Sequence, residues 1–83
     1  MQHYVIIFDY ATPCLGKGIE ISGIAHTLDK ARKILAKASK DEKEYAKEHG
    51  FQILCDDEDC FDAGEPGNYE EEHACFYIRE VVQ

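Results

Sequence analysis

The spacing of apolar residues predicts one long helix near the middle of the chain. From Leu28 to His49 apolar side chains recur every three or four positions, and lysines fall on the opposite side. Thr27 suits the N-cap and Asp29 the first turn, while Gly50 suits the left-handed residue that commonly ends a helix. We therefore predict an amphipathic helix over about residues 28–49.

A second helix-start signal lies inside this segment. Ser39-Lys40-Asp41-Glu42 has the form of a capping box, and Glu42 projects into the apolar stripe. The stripe keeps its phase across these residues, which favours one continuous helix. A break near Ser39 to Asp41 is the alternative.

Four segments have the composition of strands. Residues 3–10 are apolar at both parities, which predicts a central strand, and residues 18–26 alternate as in an amphipathic edge strand with a bulge at Gly23. Residues 51–55 form a short third strand. His73–Val82 is the fourth, and its apolar residues predict a second central strand.

The order of these elements predicts an α+β fold in which residues 1–83 form a single ββαββ domain. The helix packs on one face of a four-stranded sheet. The first and fourth strands are the most apolar, so we expect them to be neighbours, in the order 2-1-4-3. The order 2-1-3-4 is the alternative.

Length and composition limit the kind of protein. A chain of 83 residues forms one small domain, which buries only somewhat over ~60% of its unfolded surface. No apolar run approaches the ~20 residues that cross a bilayer, and the first ten residues read as a strand without the cationic start of a signal peptide. We expect a cytoplasmic protein with reduced thiols. A secreted setting would allow three pairings of its four cysteines, Cys14, Cys55, Cys60 and Cys75.

The formal charge of −8 is concentrated in the last third of the chain. Residues 27–50 have a small excess of positive charge, whereas residues 51–83 contain ten acidic residues and one basic residue, Arg79. Such a field repels phosphates and accelerates encounters with basic surfaces. We expect a protein partner with a basic surface, with no direct nucleic acid or membrane binding.

The acidic residues are densest in residues 56–69, a connection punctuated by Gly, Pro and Asn. A loop of this length in so small a domain is usually functional or mobile. We predict that it binds the partner together with the residues that follow it. The predicted partner-binding residues are Asp56, Asp57, Glu58, Asp59, Asp62, Glu65, Tyr69, Glu70, Glu71 and Glu72.

A single helix covers only one face of a sheet, and the other face also has apolar residues. If that face is open, it is a candidate interface for a homodimer or another partner. Loops folded over it are the equally weighted alternative. The apolar residues of this parity are Val5, Ile7, Leu54, Tyr77 and Val81.

The sequence contains ligand types for two kinds of metal site. Zinc could use Cys55, Cys60, His73 and Cys75, but these residues lack the usual pairing of cysteines two to four positions apart, and small packed thiols are favoured instead. An EF-hand calcium site needs a ligand pattern that fails at Phe61, so a solvated acidic loop is favoured there, with weak, millimolar-range cation binding as the alternative. We expect no cofactor. The calcium candidates were Asp56, Asp57, Glu58, Asp59, Asp62 and Glu65.

Other possible sites have weaker support. A perturbed carboxyl at Glu42 could act with His49, and Cys75 could pair with His26 or His73, but no activating motif accompanies them. Gly16-Lys17-Gly18 is too short for a phosphate-binding loop. One side of the predicted helix has a row of lysines, which we interpret as its solvated face. The alternative is that this row binds phosphate or an acidic partner. The row consists of Lys30, Lys33, Lys37 and Lys40.

Four segments together resemble a group of very short, acidic proteins of bacterial mobile elements. They are FDYATP at 8–13, GIEISGIAHTLDKARKILAKA at 18–38, FDAG at 61–64 and HACFYIREV at 73–81. The resemblance brings no known activity. It implies a context in which small acidic proteins often bind a host enzyme, sometimes by imitating the charge of DNA.

We therefore predict a non-enzymatic, acidic protein-interaction module. It would act as an inhibitor or DNA mimic on a basic, nucleic-acid-binding host protein. One alternative is a small metal-binding or thiol-based sensor or enzyme. The other is a structural homodimer formed through the open sheet face.

Overall fold

The computed structural model describes residues 2–82, and it has the predicted α+β class with one helix. Five strands accompany that helix, and all neighbouring strands are antiparallel. Within the described residues no helix is both long and apolar enough to cross a membrane. In chain order the elements are β1 (Gln2–Thr12), β2 (Gly16–Ala25), α1 (Leu28–Glu48), β3 (Gln52–Asp56), β4 (Cys60–Gly64) and β5 (His73–Val82).

The helix is continuous, as the spacing predicted. The Thr27 hydroxyl accepts a hydrogen bond from the Lys30 amide at 3.2 Å, which caps the first turn. The helix runs from Leu28 to Glu48 without interruption, and Ser39 is 2% exposed within its apolar stripe. The alternative, a break in the helix near Ser39, is therefore wrong. After the helix, Gly50 has a φ of 70°, a conformation that glycine adopts without steric cost.

The predicted four-stranded sheet is wrong, because residues 60–64 form an additional strand. The order is β2-β1-β5-β4-β3, so the extra strand separates the predicted third and fourth strands, and neither proposed order holds. The first and last strands are neighbours, as expected, with Ile6 opposite Ile78. The edge position of β2 was also predicted correctly.

The additional strand is stabilised by burial and by its hairpin turn. Phe61 and Ala63 are 1% and 0% exposed, and they lie opposite Phe76 and Ala74 of β5. At the turn the Asp57 carboxylate accepts hydrogen bonds from the amides of residues 59 and 60, at 2.8 and 2.9 Å. Such a local side-chain bond fixes a tight turn. Six of the fourteen residues of the predicted acidic loop, position 56 and positions 60–64, therefore lie in strands.

The core lies between the helix and one face of the sheet. Leu35 packs into a cluster with Ile6, Phe61 and Phe76, and Phe8 stacks on Phe76 with ring centroids 4.3 Å apart. Burying these side chains supplies most of the driving force for folding. The opposite face of the sheet, which we call the open face, lies away from the helix.

A bulge in β2 changes which of its residues face the helix. The register with β1 shifts between Ile6 and Ile7, opposite Ser22 and Gly23. One extra residue reverses the parity of a strand, so Ala25 is buried on the helix side, while the preceding apolar residues point to the open face. Those residues are Ile19, Ile21 and Ile24, which are 68%, 66% and 61% exposed.

Candidate functional site

The open face has a polar half, formed where β3, β4, β5 and β1 lie side by side. Cross-strand register places Cys55 opposite Asp62, Asp62 opposite Cys75, and Cys75 opposite Asp9. Residues directly opposite each other on antiparallel strands have adjacent side chains. Four polar side chains from distant parts of the chain therefore form one row across the sheet.

The turn formed by residues 65–72 covers one end of this row. The Tyr69 hydroxyl donates to Asp62 at 2.7 Å, and its ring stacks on His73 with centroids 4.5 Å apart. The tyrosine ring lies against Gly64, where any side chain would collide with it. Burial and the bond to Asp62 raise the pKa of Tyr69 well above its ordinary value, so its hydroxyl remains a donor.

His73 connects this turn to β1. Its Nδ1 lies 2.8 Å from the backbone carbonyl oxygen of Tyr69, and its Nε2 lies 3.0 Å from Asp9 Oδ1. Both oxygens are acceptors, so a ring nitrogen that carries a proton can donate to the oxygen beside it. The His73 ring therefore connects the turn, through Tyr69, to Asp9 of β1. Sequence spacing gave no signal for this pair, since 64 positions separate its members.

The other half of the open face is apolar. Val5, Ile7 and Tyr77 are half-buried on adjacent strands, as the parity of the sequence suggested. The three exposed isoleucines of β2 extend this area to the edge of the sheet. Of the other predicted face residues, Leu54 is 54% exposed on β3 and Val81 lies near the end of β5. The turn of residues 65–72 thus covers part of the open face, and the apolar half of that face is exposed.

The predicted partner-binding acids fall into two groups. In the first group three acids of the β3–β4 hairpin pair with the helix, whereas Asp57 accepts from amides of the hairpin turn and Asp62 accepts from Tyr69. Arg32 lies 2.6 Å from Asp59 and 3.5 Å from Glu58, and Lys43 lies 2.8 Å from Asp56. The hydrogen bond to Arg32 lowers the pKa of Asp59. These carboxylates already have internal cationic partners.

The second group lies on the turn. Glu65, Glu70 and Glu71 line an open depression of about 410 Å³, together with Leu54 and Tyr69. Within residues 2–82 no ion pair includes any of these three glutamates. Glu72 continues the run into β5. Within residues 2–82, four of the six predicted partner-binding acids that have no ion pair therefore lie on this turn.

The candidate thiols lie near one another on the open face, but they are weakly acidic. A hydrogen bond with Cys60 raises the pKa of Cys55 to about 12, and burial raises that of Cys75 to about 11. Burial also raises the pKa of Cys60. Few thiolates exist at neutral pH under these conditions, which opposes nucleophilic chemistry. Across the described chain no three His, Cys, Asp or Glu side chains are placed to hold a metal ion.

The remaining sequence candidates are dispersed. The His49 ring stacks on Tyr45 at 3.9 Å, and its Nδ1 lies 3.0 Å from the Tyr45 carbonyl oxygen. The His26 ring contacts that of His3 edge to face, with centroids 4.9 Å apart. Burial raises the pKa of Glu42, with Asp41 contributing. The lysines of the predicted row, at positions 30, 33, 37 and 40, are all exposed.

Comparisons with protein-family models, with curated proteins and with solved structures gave no match. Function is therefore inferred from the residues and their geometry.

Proposed function

We propose that this protein is a non-enzymatic interaction module whose acidic turn, residues 65–72, binds a basic surface of another protein. The observation that carries the proposal is the placement of Glu65, Glu70 and Glu71 around an open depression. They have no cationic partner among residues 2–82. The hairpin acids, in contrast, are held by Arg32 and Lys43, so the turn is the better candidate for the contact.

The net charge of −8 supports the same proposal. A concentrated negative field attracts basic proteins at long range and repels nucleic acid. A protein that normally binds DNA or RNA presents the required basic surface. The module would then act as an inhibitor or DNA mimic, which agrees with the context implied by the sequence resemblance. Apolar contacts from Leu54 and Tyr69 would supply the centre of the interface.

Two variants with equal net charge test the role of the turn. The first changes Glu65, Glu70 and Glu71 to Gln. The control changes Asp41, Glu44 and Glu48 to their amides on the exposed side of the helix. Each variant and the unmodified protein would be immobilised and exposed to lysate of the native host at increasing salt, and bound proteins identified by mass spectrometry.

We expect the unmodified protein and the control to retain the same basic, nucleic-acid-binding protein at low salt and to release it as salt rises. The turn variant should fail to retain it. An excess of duplex DNA should compete, because it occupies the same surface of the partner. Equal retention by both variants, or retention that does not respond to salt, would contradict the proposal.

A second candidate function is homodimerisation through the apolar half of the open face. The exposed isoleucines of β2 favour it, because single monomers rarely leave such side chains together in water. Changing Ile21 to Lys should convert a dimer to a monomer in sedimentation equilibrium, whereas the same change at exposed Leu15 should not. A monomer at every concentration of the unmodified protein would exclude this candidate.

A further inference from the structure

A groove on the helix side of the sheet has no role in the proposed contact. It consists of two open cavities of about 400 and 250 Å³, each lined in part by Thr12, Glu42, His73 and Ala74. The larger is of the size that small-molecule sites have in proteins, and the two adjoin at Glu42. We refer to both together as the Glu42 groove.

The sequence explains why this space is empty. Glu42 occupies a position of the helix stripe where a large apolar side chain would otherwise fill the gap. Beneath it, β5 contributes Ala74, which is 7% exposed, and β1 contributes Thr12, and both line the two cavities. Small side chains on the sheet and a carboxylate on the helix leave volume between the two layers.

An aromatic pair lines each cavity. Phe8 and Tyr10 line the smaller one, with ring centroids 5.1 Å apart, and Tyr45 and Phe51 line the larger one, edge to face at 5.6 Å. Glu42 lies in the lining of both. A carboxylate placed among aromatic rings is the combination that attracts an organic cation.

The charges of the lining agree with a cationic ligand. Glu72 contributes to the larger cavity and Glu20 to the smaller, and among residues 2–82 no Lys or Arg lines either one. His73 also contributes, but its ring nitrogens are directed to the Tyr69 carbonyl and to Asp9. Within residues 2–82 no ion pair includes Glu42. A partly buried carboxylate without a counter-ion is stabilised when a cation binds beside it.

We propose that the Glu42 groove binds an alkylammonium group, with the ammonium at Glu42 and its carbon chain against the aromatic pairs. Such a group is supplied by a free aliphatic amine or by a lysine side chain of a protein. This inference does not depend on Glu65, Glu70 and Glu71, which line the depression of the acidic turn and not the groove.

The test is a titration followed by amide chemical shifts, with n-pentylammonium chloride as the probe and 1-pentanol as its uncharged counterpart. We expect saturable shifts for residues around Thr12, Glu42 and Tyr45 with the amine, and at least tenfold weaker binding of the alcohol. Nα-acetyl-lysine methylamide distinguishes the two sources. If it binds as well as the amine, the groove accepts protein side chains; if only the amine binds, the groove selects a free amine.

Three variants locate the site. Glu42→Gln should weaken pentylammonium binding at least tenfold, whereas Glu44→Gln, an equal change of charge on the exposed side of the same helix, should leave it unchanged. Tyr45→Leu should weaken binding of the amine more than that of the alcohol, because it removes a ring but keeps apolar contact. Equal affinity for amine and alcohol, no saturable shifts, or unchanged binding by Glu42→Gln would each overturn the proposal.

Discussion

Phe61 provides the sharpest test of the architecture, because it lies in a segment whose sequence indicates an acidic loop. Its ring is 1% exposed between the helix and β5. A buried aromatic ring removes roughly 150–250 Å² from water, and at ~25 cal/mol per Å² this is worth ~4–6 kcal/mol. Measured losses for Phe→Ala in cores are ~3–5 kcal/mol. We expect Phe61→Ala to reduce the free energy of unfolding by ~3–5 kcal/mol.

That loss is a large fraction of the total. A domain of 83 residues has a stability of only ~4–12 kcal/mol at ~0.05–0.15 kcal/mol per residue. Urea unfolding followed by far-ultraviolet circular dichroism should show a midpoint lower by about 2 M. Phe61→Leu should show a smaller loss and keeps the measurement possible if the alanine variant does not fold.

Leu54→Ala is the matched control, because it removes an apolar side chain of the same hairpin that is 54% exposed. We expect it to cost about 1 kcal/mol or less. If Phe61→Ala and Leu54→Ala unfold at the same urea concentration, β4 is not part of the core. The order of the five strands would then be wrong as well.

Two further predictions concern titratable groups. Because burial raises the pKa of Glu42, the folded state binds its proton more tightly than the unfolded state does, so stability should fall as pH rises from the ordinary glutamate value through the raised one. Urea unfolding at several pH values would compare the free energy of unfolding of Glu42→Gln with that of the unmodified protein. The difference, variant minus unmodified, should increase from acidic to neutral pH, and a constant difference would refute this reasoning. At pH 8 iodoacetamide should modify exposed Cys14 much faster than Cys55, Cys60 or Cys75, as counted by intact mass. Cys14→Ser should abolish the fast adduct, and a remaining fast adduct would contradict the raised pKa values.

The helix could be predicted because its signals are local. Thr27 and Gly50 mark its ends within one turn, and the apolar spacing of the stripe depends only on neighbouring residues. β4 could not be predicted in this way. Its sequence, Cys60-Phe61-Asp62-Ala63-Gly64, contains one large apolar residue, and its burial results from pairing with strands on both sides.

The site was predictable only in part for the same reason. Parity placed Val5, Ile7 and Tyr77 on one face correctly, since alternation is a local property. The bulge at Ser22 and Gly23 also places the isoleucines of β2 on that face. The alternating pattern alone does not show whether the residues before or after a bulge keep the side that faces the helix. The Arg32 and Lys43 ion pairs depend on where the hairpin meets the helix, which only the folded chain specifies.

The bulge in β2 also bears on self-association of the sheet edge. An outer strand of ten residues with exposed isoleucines is the type of segment that adds further strands and aggregates. A bulge increases local twist and interrupts the regular row of backbone donors and acceptors, so a second strand finds no long flat partner. Deleting Ser22 would restore a regular edge, because Ile21 and Gly23 already lie opposite Ile7 and Ile6, and the isoleucines would remain on the open face. The extra residue thus protects the edge against fibrillar assembly.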